Sequence, residues 1–85
     1  SLMARASLQS TINSLVEKRE FEGALKAIDN GGILTSPYQE GMRDDVLEKG
    51  LELAEKAKKN DNFDDLITTT EALMSAFLGM EATIL

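Results

Sequence analysis

The stretch DNGGILTSPYQEG, residues 29–41, holds three of the chain's six glycines, its only proline and its only tyrosine. Read as a phosphate-cradling loop it would imply an α/β fold; read as punctuation it separates two helices. It matches neither the GxGxxG nor the GxxxxGK[ST] pattern, and no strand-like run precedes it. The punctuation reading stands, and the chain on either side agrees with it.

Upstream, Phe21, Ala24, Leu25 and Ile28 recur at i, i+3, i+4 and i+7, the spacing of one helix face. This short helix is expected to end at Asn30-Gly31-Gly32, residues that tolerate the left-handed conformation many helix ends require. Downstream, Ser36 reads as an N-cap, Pro37 as the first helical residue, and Gln39 as the partner of Ser36 in a capping box. A long helix from there to about Lys59 carries Met42, Val46, Leu47, Leu51, Leu53, Ala54 and Ala57 on one side. Gly41 and Gly50 interrupt it. Gly50 falls within the apolar stripe, which predicts close approach of another helix.

Working outward, Leu8, Ile12, Leu15 and Val16 mark a first helix over about Ala4 to Lys18. Asn60-Asp61-Asn62 breaks the long helix and caps the next. That last helix carries Phe63, Leu66, Ile67, Leu73, Met74, Phe77 and Leu78, and Gly79 either ends or weakens it. Met42 and Met74, lying on these stripes, are expected to fill core. No segment alternates long enough for a strand. The expected fold is all-α: one domain over 1–85, a small antiparallel four-helix bundle built as two helical hairpins, about 4–32 and 36–79, joined by the connection 30–36. Ser1 and Leu2, ahead of Met3, read as a cloning remnant.

The two hairpins echo each other. KREFEGAL (18–25) and KNDNFDDL (59–66) each place a polar turn, then a phenylalanine, then apolar residues, with Phe21 and Phe63 42 residues apart. Tetratricopeptide-type units repeat every 34 residues, and the small residue of their first helix would fall at Ile12, so the chain is not assigned to that family.

Composition narrows the function. There is no cysteine and no histidine, which removes disulfides, thiolate metal sites, and the commonest general base and nucleophile. The acid pairs Asp44-Asp45 and Asp64-Asp65 point ~100° apart on a helix and cannot share a substrate atom. No enzyme activity, cofactor or metal is expected; DNFDDL fails as a calcium loop because phenylalanine holds its third position and leucine its sixth. The net charge of −6 falls entirely after residue 36, since residues 1–36 carry four acids and four bases, the remainder eleven acids and five bases. Nucleic acid and anionic membrane would be repelled. With no apolar run of membrane-spanning length and no signal-type leader, the expected location is cytoplasmic.

What is left is binding. The expectation is a non-enzymatic protein-interaction module, an adaptor, regulator or chaperone-like small subunit, that holds another protein or a second copy of itself. Its candidate contact residues are Ile33, Leu34 and Tyr38, apolar side chains in a connection that should otherwise be polar. A second reading is an acidic inhibitor or immunity-type protein that masks a basic surface with Asp44, Glu48 and Asp64. These acids belong to a run (Asp44, Asp45, Glu48, Glu52, Glu55) that covers one ~100° sector opposite the apolar stripe and is otherwise a solvated face laced by i, i+4 pairs to lysine. A third is a helical bundle around a small apolar ligand.

Overall fold

Among the described residues the chain forms four helices: α1 (Leu2–Glu17), α2 (Phe21–Asp29), α3 (Ser36–Lys59) and α4 (Phe63–Ile84). The computed structural model describes the backbone of residues 2–31 and 35–84 and the side chains of 3–31 and 35–78. The core joins Ile12 and Val16 of α1, Phe21, Ala24, Leu25 and Ile28 of α2, Val46 of α3, and Leu73 and Ala76 of α4. Every expected stripe residue of α2 is buried, and Leu8 and Leu15 of α1 pack against the same cluster.

Both hairpins turn by one device. At the end of α1 the Glu20 N–H donates to Leu15 O (2.8 Å) and the Arg19 N–H to Val16 O (3.0 Å); at the end of α3 the Asn62 N–H donates to Ala57 O (2.9 Å) and the Asp61 N–H to Lys58 O (3.1 Å). This paired 6→1 and 5→2 bonding is a Schellman motif, which needs a left-handed residue at its centre. Arg19 (φ 63°) and Asp61 (φ 54°) fill that role, at a spacing of 42 residues, so the sequence echo is a repeated structure. The following helix starts at Phe21 in one case and Phe63 in the other.

The hairpins stack, and what lets them do so is residue 50. A Cβ built on Gly50 would lie 3.1 Å from Cε1 of Phe21 and overlap Cδ2 of Leu73, so α2 and α4 both press on α3 where it has no side chain. The expected close approach is thus made within the chain. α2 packs against α1, α3 and α4, and α3 against α1 and α4, whereas α1 and α4 do not meet among the described residues. The pairs α1 and α2, α2 and α4, α4 and α3, and α3 and α1 close a ring, with α2 and α3 also meeting across it and α1 and α4 at its far corners, and the Cα atoms fill a slab of 42 × 33 × 16 Å.

A polar clasp crosses between the hairpins. The Arg19 guanidinium donates to Asp65 Oδ2 (3.1 Å), to Thr69 Oγ1 (3.1 Å) and to Glu17 O (2.6 Å), while Thr69 Oγ1 donates to Asp65 Oδ1 (3.2 Å). Thr69 is fully buried. Its hydroxyl is tolerated there because it has both an acceptor and a donor.

Two sequence expectations are corrected. Ser36 is not the N-cap: Thr35, extended at φ −72° and ψ 157°, holds that place without a side-chain bond. Gln39 makes no capping box, because its amide reaches back to donate to Ile28 O (3.2 Å) and closes the end of α2. α2 ends where expected, with Asn30 as its right-handed C-cap (φ −84°) and the Asn30 and Gly31 N–H groups bonded to Lys26 O and Ile28 O. Of the two expectations for Gly79, the helix end is not the one seen, since α4 continues to Ile84. At the other boundary the expected cap is present: Asn62 Oδ1 accepts from the Asp65 N–H (3.2 Å) at the start of α4.

These contacts set two pairs of stability predictions for urea or thermal unfolding. Gly50→Ala should destabilise by about 1 kcal/mol, its overpacking cost exceeding the helix propensity that alanine returns. Gly41→Ala, with nothing within 4 Å of its Cβ, should stabilise by up to ~1 kcal/mol. Asp61→Gly should likewise stabilise by about 1 kcal/mol by removing the left-handed penalty. The same change at Arg19 should cost about 1–2 kcal/mol net, because Thr69 and Asp65 lose their charged donor.

Candidate interaction surface

Helix α4 carries two apolar faces, and only one is covered. At ~100° per residue Phe63, Ile67, Met74 and Leu78 share one ~60° sector, centred about 140° from the buried line of Thr69, Leu73 and Ala76. They are exposed by 60%, 54%, 53% and 53%. All four were expected in the core. They face outward because the helices that pack on α4, α2 and α3, take its Thr69, Leu73 and Ala76 side. Met74 accordingly fills no core, while Met42 packs against the core as expected.

The face continues onto α3. Leu51, also expected in the core, is exposed, and with Ala54 and Leu66 of α4 it lines a shallow depression between the two helices. Glu48, Glu52 and Glu55 border that depression with a single cation, Lys58. On the far flank of α4, Asp64 and Glu71 stand at the edge of the apolar sector and are exposed. The surface is thus an apolar strip rimmed by five acids, with Lys58 in the depression and Lys59 paired to Glu55.

The residues named from sequence fall in three places. Glu48 and Asp64 sit on opposite rims of this strip, and Asp44 is exposed one turn before Glu48 on the same helix. Tyr38 is elsewhere, ten residues or ~15 Å from Glu48 along α3, half exposed, with the Arg5 guanidinium 5.0 Å from its ring centroid. Part of its ring is therefore covered by α1. Ile33 and Leu34 lie outside the described residues.

The acidic sector of α3 behaves in part as a solvated face: Lys49–Asp45 (3.1 Å) and Lys59–Glu55 (4.0 Å) close as i, i+4 pairs, whereas Glu52 and Lys56 do not. Exposed pairs of this kind add little stability. Arg43 pairs with Asp29 (3.0 Å), bracing α3 against the end of α2. A second groove, between α1 and α3, is lined by Asn13, Glu17, Lys49, Glu52 and Lys56 with Val16 and Leu53 behind them. Its charges alternate in sign and show no preference for one ligand charge. Among the described residues no three carboxylates converge as a metal ion would require, and no helix is long and apolar enough to cross a membrane.

No family model matches the chain, nor does any curated protein or solved structure.

Sequence reasoning missed both the exposed strip and the buried clasp. The strip had a signal, since the apolar residues of α4 occupy more than half the helix circumference, more than one neighbour can bury. Thr69 had none beyond its position on the line of Leu73 and Ala76.

If the strip plays no part in folding, Ile67→Gln and Met74→Gln should each change unfolding free energy by less than about 0.5 kcal/mol, as exposed substitutions generally do. Leu73→Ala, one residue away in sequence from Met74 but in the core, should cost about 2–4 kcal/mol.

Proposed function

We propose that the protein is a non-enzymatic interaction module whose binding face is the outer side of α4 and the adjoining flank of α3. The observation that carries this reading is the continuous strip of Phe63, Ile67, Met74 and Leu78, four large apolar side chains each more than half exposed on one helix face. Scattered apolar residues on a surface are ordinary; a contiguous strip rimmed by charge is the usual form of a protein-contact surface. It replaces the connection 30–41 as the centre of the proposed interface, with Tyr38 as a separate half-exposed aromatic. Glu48 and Asp64, on the rims, supply orientation and association rate rather than most of the affinity.

The acidic-inhibitor reading uses the same acids but predicts a different salt response. Capture of binding partners from the source cell should be repeated at about 0.1 M and 0.5 M salt, since screening weakens exposed charge contacts and leaves apolar burial intact. A partner retained at the higher salt by the natural protein, and lost with the double variant Ile67→Gln/Met74→Gln, is the expected result. Retention by both proteins, or loss from both at 0.5 M, would sink the α4 interface.

A further inference from the structure

The repeated turn supplies a template for what covers the strip. Advancing the first hairpin by 42 residues lays Phe21, Ala24 and Leu25 onto Phe63, Leu66 and Ile67, and the turn residues Arg19 and Asp61 onto each other. The first set is buried, and what buries it is another pair of helices, with Phe21 seated where α3 has only Gly50. The second set holds equivalent places on its own hairpin, with Phe63 and Ile67 open to solvent. The Phe63 and Ile67 end of the strip is thus the same stacking surface, one unit further along, without an occupant, while Met74 and Leu78 extend it past the length of the nine-residue α2 and have no counterpart there.

Two occupants from this chain fit poorly. A second copy presenting the same strip would bring Glu48, Glu52, Glu55, Asp64 and Glu71 against their like, with Lys58 and the Glu55-paired Lys59 as the bases beside them. A second copy presenting its first hairpin, in continuation of the stack, would place Leu8 where the template has Gly50, and the ring of Phe63 would meet a full side chain. Anionic membrane is repelled by the same acids.

We propose that the strip docks an amphipathic helix of another protein, one with a small residue at the centre of its apolar face and lysine or arginine along both flanks. This rests on the interaction-module reading and adds the chemistry of the partner. Phe63 takes the place beside the small residue that Phe21 takes beside Gly50, while Ile67, Met74 and Leu78 extend the contact along α4. The flanking bases meet Glu48, Glu52 and Glu55 on one side and Asp64 and Glu71 on the other.

The test uses designed helical peptides of about 20 residues, long enough to span α4, titrated into the labelled full chain and followed by fluorescence anisotropy. Peptide one has a leucine face with a central alanine and lysine flanks; peptide two replaces the lysines by glutamate; peptide three replaces the central alanine by leucine. Peptide one should bind, with peptides two and three weaker by about tenfold or more. Binding of peptide one should also fall about tenfold with Ile67→Gln/Met74→Gln, and with Glu48→Gln/Glu52→Gln/Glu55→Gln it should lose most of its salt dependence. Equal binding of peptides one and two, or unchanged binding by the Ile67→Gln/Met74→Gln variant, would overturn the proposal. So would a dimer in sedimentation equilibrium that the same variant abolishes, since a second copy would then be the occupant. If peptide one fails to bind while Ile67→Gln/Met74→Gln still abolishes cellular capture, the partner chemistry is wrong and the interaction module survives. If capture is unaffected by that variant, the module reading itself fails.

Discussion

Helices α2 and α4 can both lie against α3 only because residue 50 has no side chain. Phe21 Cε1 and the Leu73 methyls occupy the space a Cβ would take, which brings one residue from each hairpin to a single point on α3. A glycine inside a 24-residue helix lowers its intrinsic propensity by up to ~1 kcal/mol. That cost is offset by the burial of Phe21, Ile28, Val46 and Leu73 around it, each worth about 1.5–3 kcal/mol of apolar transfer. Separation of the hairpins would expose all of them together, so the stack and the hairpins are stabilised as one unit.

The clasp of Arg19, Asp65 and Thr69 acts at a second point of the same interface. The left-handed turn after α1 carries an arginine where glycine would be less strained, and the guanidinium spends its donors on α4 and on Glu17 O. The equivalent Asp61 makes no such crossing, and the next helix is capped by Asn62 instead. The repeated backbone therefore serves two ends. One turn is tied into an interface that is occupied, and the other borders an interface that is open.

That asymmetry explains which parts of the fold were legible in the sequence. Periodicity located all four helices, and it located the core of α2 completely, because a nine-residue helix with one apolar stripe has a single way to bury it. On α4 the same rule misplaced Phe63, Ile67, Met74 and Leu78. Spacing reports that a face is apolar; whether a neighbour covers it depends on which side of α4 its tertiary neighbours α2 and α3 take, which no local pattern records. The capping box failed for a related reason. Gln39 could accept from the Ser36 N–H or donate to the carbonyl of Ile28, 11 residues back in sequence, and the second partner is brought within reach by the packing of α2 on α3, not by local spacing.

Of the candidate site, the acids were legible and their partners were not. Glu48 and Asp64 are far apart in sequence and on separate helices, and they came into one surface because α4 folds back along α3 from the turn at 60–62. The uneven charge of the chain then acquires a physical reading. The first hairpin, whose α2 packs on three helices through the uncharged Phe21, Ala24, Leu25 and Ile28, balances four acids with four bases. The second hairpin has one face in the stack and one in water, and the −6 lies there. Acids along the rims of an apolar strip leave its affinity for a complementary helix intact while raising the cost of pairing with another copy of itself. An exposed strip of four large apolar residues with no charge beside it would invite association; under the proposed reading, the border of Glu48, Glu52, Glu55, Asp64 and Glu71 would favour a basic partner.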